Sequence, residues 1–173
     1  GVEVRAIPEE GSSVGGKAYS FPGKYESYLE IQDGEVLKTA RENATIQAWV
    51  NVKKLVANII QKPNTCTLDM ATGGKPSFSW GQQRIIAPTS ILNKGFVHLT
   101  AVVRPDSILL YVNGEKVAGD KCTSTFTGST NTKVNIGRYV NGEIDEVRLW
   151  NRALTAQEIA NNYNAYLVGN EQG

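Results

Sequence analysis

The residues best suited to hold a ligand lie close together in one short segment, residues 78–84. Trp80 stands there beside the amide of Gln82 and the guanidinium group of Arg84. Sugars present C–H faces that pack on aromatic rings, and their hydroxyls pair with planar amides and guanidinium groups. The segment therefore indicates a carbohydrate-binding site. An equally good interpretation is that Trp80 packs in the core, because Phe78 falls on the same face of an alternating strand.

A second group of candidate ligand residues precedes the C-terminal strand. Tyr139 and Asn141 offer another ring and another amide within three positions. We expect them to contribute to the same kind of site, because a sugar needs both an apolar platform and planar polar partners. The predicted ligand-binding set is thus Trp80, Gln82, Arg84, Tyr139 and Asn141.

Asp145 is an acidic residue that the sequence pattern places among apolar residues. Residues 143–150 alternate in the manner of a strand, and strict alternation places Asp145 on one face with Val147 and Leu149. A carboxylate on such a face must be hydrogen-bonded, ion-paired or bound to a cation. It either ties down the following turn, through Arg152 or backbone N–H groups, or binds a metal ion.

The segment after this strand predicts a capped helix. Thr155 and Glu158 have the Thr-x-x-Glu spacing in which the hydroxyl accepts a hydrogen bond from the first turn while the carboxylate reaches back. Ile159 and Tyr163 then provide a stripe that packs against the rest of the protein.

Most of the chain before residue 150 reads as short strands separated by turn residues. Asn113-Gly114, for example, predicts a tight hairpin between two apolar runs. Short strands at regular spacing are typical of a β-sandwich rather than an α/β fold. We therefore predict an all-β protein, a two-sheet antiparallel β-sandwich with one short C-terminal helix.

Length and composition favour one domain over residues 1–173. Of the 173 residues 40% are hydrophobic and 20% charged, as in ordinary globular proteins. The net charge is +1 and the basic residues are scattered, which argues against nucleic acid as a partner. The apolar stretches are too short to span a bilayer, so we expect no membrane insertion. Because the chain begins at Gly1 rather than at Met, we expect a processed or excised segment. The rest of a larger multidomain protein is one partner that we expect for it.

Four segments, in this order along the chain, resemble the laminin G-like jelly rolls of the concanavalin A type. They are similar to the family's opening hairpin, its first core strand, its central hairpin and its closing strand with capped helix, and comprise residues 16–31, 44–50, 96–115 and 142–159. The resemblance covers nearly the whole chain and implies the jelly-roll fold. Such sandwiches include lectins, carbohydrate-binding modules, adhesion domains and hydrolases, so the fold alone does not select a function.

The resemblance also implies a calcium ion. Many relatives bind Ca²⁺ through oxygen ligands on the closing strand and the opening hairpin, which would here involve Asp145. Pro22 stands where relatives often carry an aspartate, and Glu26 is the nearby acid that would replace it. The implied metal ligands are therefore Asp145 and Glu26.

The two cysteines, Cys66 and Cys122, have two interpretations. The resemblance implies an extracellular or cell-surface protein, in which a disulfide between them would persist. The alternative is two buried thiols, and the spacing does not decide between the two.

A catalytic site is disfavoured by the strand that begins at Glu143. Laminarinase-type glycoside hydrolases on a related jelly roll carry Glu-x-Asp-x-(x)-Glu, because a retaining mechanism needs two carboxylates about 5 Å apart. Here Val147, or Arg148 if the strand bulges, stands in place of the second glutamate. The one histidine, His98, adjoins no serine or cysteine nucleophile motif and is interpreted as structural.

The sequence thus predicts a noncatalytic, lectin-like module that binds a glycan or polysaccharide, in a secreted or cell-surface protein. The alternative is an adhesion or structural domain that binds protein partners through its loops. A glycoside hydrolase of the same fold is the third hypothesis, and the missing second carboxylate argues against it.

Overall fold

The computed structural model describes residues 2–4, 18–31, 43–123 and 133–167, which form two packed antiparallel sheets and one helix. In chain order the elements are β1 (Val2–Val4), β2 (Tyr19–Pro22), β3 (Leu29–Ile31), β4 (Ala44–Val52), β5 (Asn58–Lys62), β6 (Cys66–Ala71), β7 (Lys75–Trp80), β8 (Gln83–Ile86), β9 (Val97–Val103), β10 (Ser107–Val112), β11 (Glu115–Lys121), β12 (Val134–Arg138), β13 (Asn141–Trp150) and α1 (Ala156–Leu167). The predicted all-β sandwich with one C-terminal helix is confirmed.

Each sheet contributes one face to a common core. The first sheet has the order β1-β13-β4-β9-β10-β11, with β2 pairing to β13 beside β1, and the second has the order β3-β12-β5-β6-β7-β8. Alternate side chains from both sheets meet between them, among them Ile46 and Leu99 from the first and Leu68 and Phe78 from the second. The hydrophobic runs of the sequence therefore lie where the alternation predicts.

The antiparallel pairing divides the connections between two ends of the sandwich. The end that we call the upper end carries the β2–β3, β4–β5, β8–β9, β10–β11 and β12–β13 connections, and the lower end carries the β7–β8 turn and the residues that follow β11. Loops at one end of a sandwich lie side by side although they are distant in sequence.

A β-bulge in β13 changes which side chains face the core. The register against β4 shifts between Asp145 and Arg148, and Glu146 has a φ of 48°. Val147 and Leu149 belong to the core, whereas Asp145 and Arg148 lie on the outer face. The prediction that Asp145 shares a face with Val147 and Leu149 is wrong, because the extra residue of the bulge interrupts the two-residue alternation.

The C-terminal helix covers the outer face of the first sheet. Leu154 and Ile159 pack with Val102 and Tyr111 in a small second cluster. Beneath the helix, Gln47 donates to Thr100 Oγ1 at 3.1 Å, and its Oε1 accepts bonds from Trp150 Nε1 at 3.3 Å and Asn162 Nδ2 at 3.1 Å. Because these polar groups are paired, they can be buried under a helix.

The predicted capping box is present at the start of α1. Glu158 N donates to Thr155 Oγ1 at 3.2 Å, and Thr155 N donates to Glu158 Oε2 at 2.8 Å. Arg152 donates to both oxygens of the same carboxylate. Its guanidinium group, together with the Thr155 N–H, lowers the pKa of Glu158 to about 2.

Cys66 and Cys122 are not joined by a disulfide in the structure. Cys66 is buried on an interior strand of the second sheet, and Cys122 is half-buried after β11, an edge strand of the first. The two cysteines therefore lie on different sheets, and the disulfide stays a prediction.

Trp80 belongs to the core: it is 2% exposed and lies in the same cluster as Phe78. The core interpretation that the sequence left open is the one found. The ring therefore offers no surface platform to a ligand, which corrects the expectation for this member of the predicted site. The reason is that Trp80 and Phe78 share the inward face of β7, as residues two apart on a strand do.

We expect Trp80→Ala to lower the free energy of unfolding by about 3–5 kcal/mol, because the substitution leaves a large cavity in the core. Urea unfolding monitored by circular dichroism measures the loss. Gln82→Ala is the control, since Gln82 is exposed two residues away in the β7–β8 turn. A loss below about 1 kcal/mol for Trp80→Ala would contradict the core assignment.

Candidate functional site

The predicted ligand residues lie at opposite ends of the sandwich. Trp80 and Gln82 are at the lower end, whereas Tyr139 and Asn141 are at the upper end. The register places Trp80 about 13 Å along the strands and about 14 Å across them from Arg138, which precedes Tyr139. A single sugar-binding site cannot include both groups.

Arg84 is already engaged by its neighbours on the second sheet. Its Nη2 lies 3.0 Å from Asp69 Oδ1 and 2.7 Å from Ser77 Oγ, and the Ser77 hydroxyl also donates to the Asp69 carboxylate. These bonds hold the guanidinium group on the outer face of the sheet. Nη2 of Arg84 is therefore already engaged within the protein.

At the upper end, Tyr139 meets two tyrosines and an arginine, a group that we call the tyrosine cluster: Tyr25, Tyr28, Arg138 and Tyr139. The ring centroids of Tyr25 and Tyr139 are 5.2 Å apart. The Arg138 guanidinium carbon lies 4.8 Å from the centre of the Tyr25 ring and 4.2 Å from that of Tyr28. Cation–π contacts of this kind fix the rings and the cation relative to one another.

The tyrosine cluster presents ring faces to solvent. Tyr25 is 53% exposed and Tyr139 is 36% exposed, although both are large aromatic residues. Arg138 Nε is buried and donates no hydrogen bond to any described residue, while the guanidinium group packs on the rings of Tyr25 and Tyr28. The cluster thus combines exposed apolar surface with a polar group held in place, the combination that is typical of ligand-binding surfaces.

The turn that carries Tyr139 is conformationally strained. Val140 N donates to Gly137 O at 3.0 Å, which closes a four-residue turn, and Tyr139 occupies its third position with a φ of 63°. Glycine or asparagine is preferred at such a position, and another residue type costs about 1–3 kcal/mol there. Strain of this kind concentrates at functional sites, and here it turns an aromatic ring outward.

Gly137 makes the turn possible. Its φ is 86°, and a Cβ at this position would lie 2.1 Å from the ring of Phe21. Phe21 is a core residue of β2, so the backbone of β12 can approach β2 only because residue 137 is glycine. This contact fixes the tyrosine cluster between the β2–β3 and β12–β13 connections.

Asn141 supports this site from below. Its Nδ2 donates to Pro22 O at 3.3 Å, and its backbone oxygen accepts a bond from Lys53 N at 2.8 Å. It therefore holds the β2–β3 and β4–β5 connections together. The structure places Asn141 beside the tyrosine cluster, as a positioning residue with part of its amide already used.

The adjacent β4–β5 connection exposes an aliphatic pair. Leu55 is 51% and Val56 is 65% exposed, directly after Lys53 and Lys54. These exposed aliphatic side chains add to the apolar surface of the upper end.

The carboxylates of β13 do not form a hydrolase pair. Glu143 Oε2 accepts a bond from Asn51 Nδ2 at 2.8 Å, and Asp145 Oδ1 accepts one from the N–H of Glu146 at 2.8 Å. Because the strand bulges, the next residue on their face is Arg148 and not Val147, as the sequence predicts for a bulged strand. A guanidinium group thus stands where a retaining mechanism needs its second acid.

His98 is buried beneath the helix and packs against aromatic rings. Its ring lies 5.1 Å from that of Trp49 and 6.1 Å from that of Tyr163, and Nδ1 has no hydrogen-bond partner among the described residues. Burial, and then the nearby Arg148 charge, lower the pKa of His98 to about 4. Trp49 lies between His98 and Asp145 in the strand register, so the two do not act as a catalytic pair.

The predicted calcium ligands are not brought together. Glu26 is exposed in the β2–β3 connection beyond Pro22, which pairs with Asn141. Asp145 lies four residues after Asn141, which is about 13 Å further along β13. The described ranges hold no group of three or more His, Cys, Asp and Glu residues arranged to bind a metal ion. Asp145 accepts the N–H at the bulge, so within the described part of the chain Asp145 and Glu26 do not together form the calcium site that the resemblance implies.

A family model described as the concanavalin A-like lectin/glucanases superfamily matches residues 22–160. No curated protein matches the chain in sequence. In the described part of the chain, no helix has the length and apolar character needed to cross a membrane.

Among solved structures, the chain is similar to the binding domain of Paraclostridial Mosquitocidal Protein 1, with a TM-score of 0.73 and 16% identity over 92% of this chain and 47% of that one. It is also similar to botulinum neurotoxin type C, whose cell entry depends on two ganglioside molecules (TM-score 0.66, 14% identity, 80% of this chain, 39% of that one). A third is the botulinum neurotoxin DC binding domain in complex with rat synaptotagmin II, with a TM-score of 0.65 and 13% identity over 89% of this chain and 46% of that one. The chain spans about half the length of the first of these or less, and at these identities the likeness shows the fold.

The burial of His98 generates a prediction about pH. Since its pKa is about 4 in the folded protein and 6.5 in the reference state, the unfolded chain binds more protons between these values. Stability should therefore fall by about 3 kcal/mol as the pH drops from 6.5 to 4, and this contribution should level off below pH 4. Urea unfolding from pH 7 to pH 4 measures the fall.

His98→Phe should remove this part of the pH dependence, whatever its effect at pH 7. Arg148 and Asp145 on β13 and Tyr163 on α1 are present in both proteins, so the difference isolates the imidazole. A His98 proton resonance that titrates near pH 6.5 in the folded protein would contradict the assignment.

The failure of the calcium ligands to converge generates another prediction. We expect the melting temperature to be the same in 1 mM CaCl₂ and in excess EDTA, because a ligand stabilises only a fold that binds it. A calcium-dependent rise of several degrees that Asp145→Asn removes would overturn this expectation and restore the metal site.

Proposed function

Because the chain belongs to the concanavalin A-like lectin/glucanase superfamily, we propose that it is a noncatalytic carbohydrate-binding module. Its glycan site is the tyrosine cluster at the upper end of the sandwich. The observation that carries this proposal is Tyr139, an exposed aromatic side chain held by a turn in a conformation that other residue types adopt more easily.

The chemistry of the cluster suits a sugar. The exposed faces of Tyr25 and Tyr139 are available for the C–H face of a pyranose ring, and the phenol hydroxyls for its hydroxyl groups. Arg138 keeps Tyr25 and Tyr28 in place, so little side-chain entropy is lost when the ligand binds. Pre-organised aromatic residues of this kind provide affinity without a deep pocket.

The similar solved structures support a binding role in a larger protein. One belongs to a toxin whose cell entry depends on gangliosides, and another is a toxin binding domain bound to a protein receptor. The proposed partner is accordingly a glycan displayed outside the cell, and the proposed location is extracellular or at a cell surface. Arg148 at the position of the second acid supports a module that binds glycans without hydrolysing them.

We expect the wild-type protein to bind a subset of glycans on an array and Tyr139→Ala to weaken that binding at least tenfold. Tyr25→Ala should have a similar effect, because each substitution removes one exposed ring face. Isothermal titration with a glycan selected on the array gives the affinities. Gln82→Ala and Arg84→Ala are matched controls at the lower end and should bind as the wild type does.

Tyr139→Gly separates binding from folding. Glycine relieves the strain at a φ of 63°, so this variant should be as stable as the wild type or more stable, yet bind weakly. Loss of binding in the Gln82 and Arg84 variants instead of the tyrosine variants would move the site to the lower end. The absence of any glycan signal at high protein concentration would refute the lectin proposal.

The second candidate is a protein-binding adhesion module, favoured by the exposed Leu55 and Val56. Cell-surface binding distinguishes the two candidates. Binding that survives glycosidase treatment, is lost after protease treatment and disappears in the Leu55→Glu/Val56→Glu double variant would support a protein partner.

A further inference from the structure

A cleft opens between the two sheets at the upper end, on the side away from the tyrosine cluster. It encloses 340 Å³ between the β8–β9 connection and the β10–β11 hairpin. At the lower end the same two sheet edges are joined, because Gln83 Nε2 donates to Lys121 O and Gln83 Oε1 accepts from Thr123 N at 3.0 Å. The edges β8 and β11 therefore meet at one end and part at the other.

The walls of the cleft are apolar and continue the core. Ile91 and Val97 are core residues that reach its floor, and Val112 and Val117 form the opposite wall. Val117 is directed there by a bulge: Leu110 pairs with Ala118 and Tyr111 with Lys116, which leaves Val117 as the extra residue. Bulges commonly re-aim one side chain in this way next to binding sites.

The cleft has few polar side chains, and the charged one among them is the cation Lys94. Lys94 is exposed and forms no ion pair with any described residue, and no aspartate or glutamate lines the cleft. Asn113 Oδ1 accepts the N–H of His98 at 2.9 Å, which leaves its Nδ2 as a donor. The hydroxyls of Thr89 and Ser90 complete the set, and Ser90 Oγ already accepts the N–H of Leu92 at 3.2 Å. The cleft therefore offers one cation and hydrogen-bond donors beside an apolar cavity.

We propose that this cleft is a second ligand site, which binds a small amphipathic anion with an apolar body and a single carboxylate. The volume of 340 Å³ is about twice the ~150 Å³ that suffices for benzene in an apolar cavity, so the cleft has room for an apolar body larger than benzene. The apolar body lies against Val97, Val112 and Val117, and the carboxylate pairs with Lys94 at the rim.

Two physical terms favour such a ligand over a sugar. An apolar body that leaves water gains about 25 cal/mol per Å² against walls that are otherwise hydrated. A sugar would instead bury hydroxyls against valine and isoleucine side chains without enough partners, which is unfavourable. The charge of Lys94, which no described acidic residue opposes, then selects an anion over a neutral or cationic amphiphile.

The test uses octanoate as the probe, with octan-1-ol and octylammonium as matched neutral and cationic probes. We expect octanoate to bind the wild-type protein more tightly than either, as measured by isothermal titration and by amide shifts at residues 87–97 and 112–117. Val117→Trp should fill the cleft and weaken octanoate binding more than tenfold.

Lys94→Gln should weaken octanoate binding about fivefold to tenfold and leave the octanol affinity unchanged. Because Lys94 is exposed, this variant keeps the test valid even if Val117→Trp folds poorly. Lys54→Gln is the control for loss of one positive charge at the same end. Failure of octanoate to bind at millimolar concentration, binding that Lys94→Gln does not alter, or equal affinity for octylammonium would each overturn the proposal.

This site does not rest on the proposed glycan function. The tyrosine variants should bind octanoate as the wild type does, and Lys94→Gln should bind glycans unchanged. Either site can thus fail without the other.

Discussion

The bulge at Glu146 is the constraint on which the arrangement of the protein depends. β13 contacts β1, β2 and β4, and one extra residue within it decides which of its side chains enter the core and which meet the helix. Val147 and Leu149 face inward only because Glu146 adopts a positive φ. The same shift places Arg148 beside Gln47, under α1, where the buried amide connects three neighbouring side chains. A strand without the bulge would reverse these faces and bury charge in the core.

The division of the sandwich into two ends determines where ligands meet the protein. The outer face of the first sheet is occupied by α1, and that of the second carries the Arg84–Asp69 pair, whose members already bind one another. The upper end, by contrast, exposes the rings of Tyr25 and Tyr139 and the charge of Lys94. It therefore gathers both the tyrosine cluster and the cleft beside Lys94. The core stabilises the fold, and the loops at the upper end provide the residues of the proposed binding sites.

The sequence predicted the sandwich, the C-terminal helix and its cap because these follow from local alternation and from the Thr155–Glu158 spacing. Three features of the structure could not be predicted from the sequence, each for a physical reason. The burial of Trp80 depends on which face of β7 turns inward, and an aromatic residue suits either face. The bulge at Glu146 requires a change of register between β13 and β4, and no residue type in this segment predicts where it occurs. The tyrosine cluster brings Tyr25 and Tyr139 together through tertiary structure, although they are distant in sequence. The sequence predicted Tyr139 as a ligand residue, but its positive φ is a property of the folded turn.

The bulge in β11 also bears on how molecules of this protein behave towards one another. β11 is an edge strand, and its backbone would accept a strand from a second molecule if it were long, flat and apolar. Val117 interrupts its hydrogen-bonding pattern, and charged residues stand at both of its ends, Glu115 and Lys116 at one and Asp120 and Lys121 at the other. These features disfavour growth of the sheet from molecule to molecule at this edge. The same irregularity that places Val117 at the cleft therefore makes β11 a poor template for a strand of a second molecule.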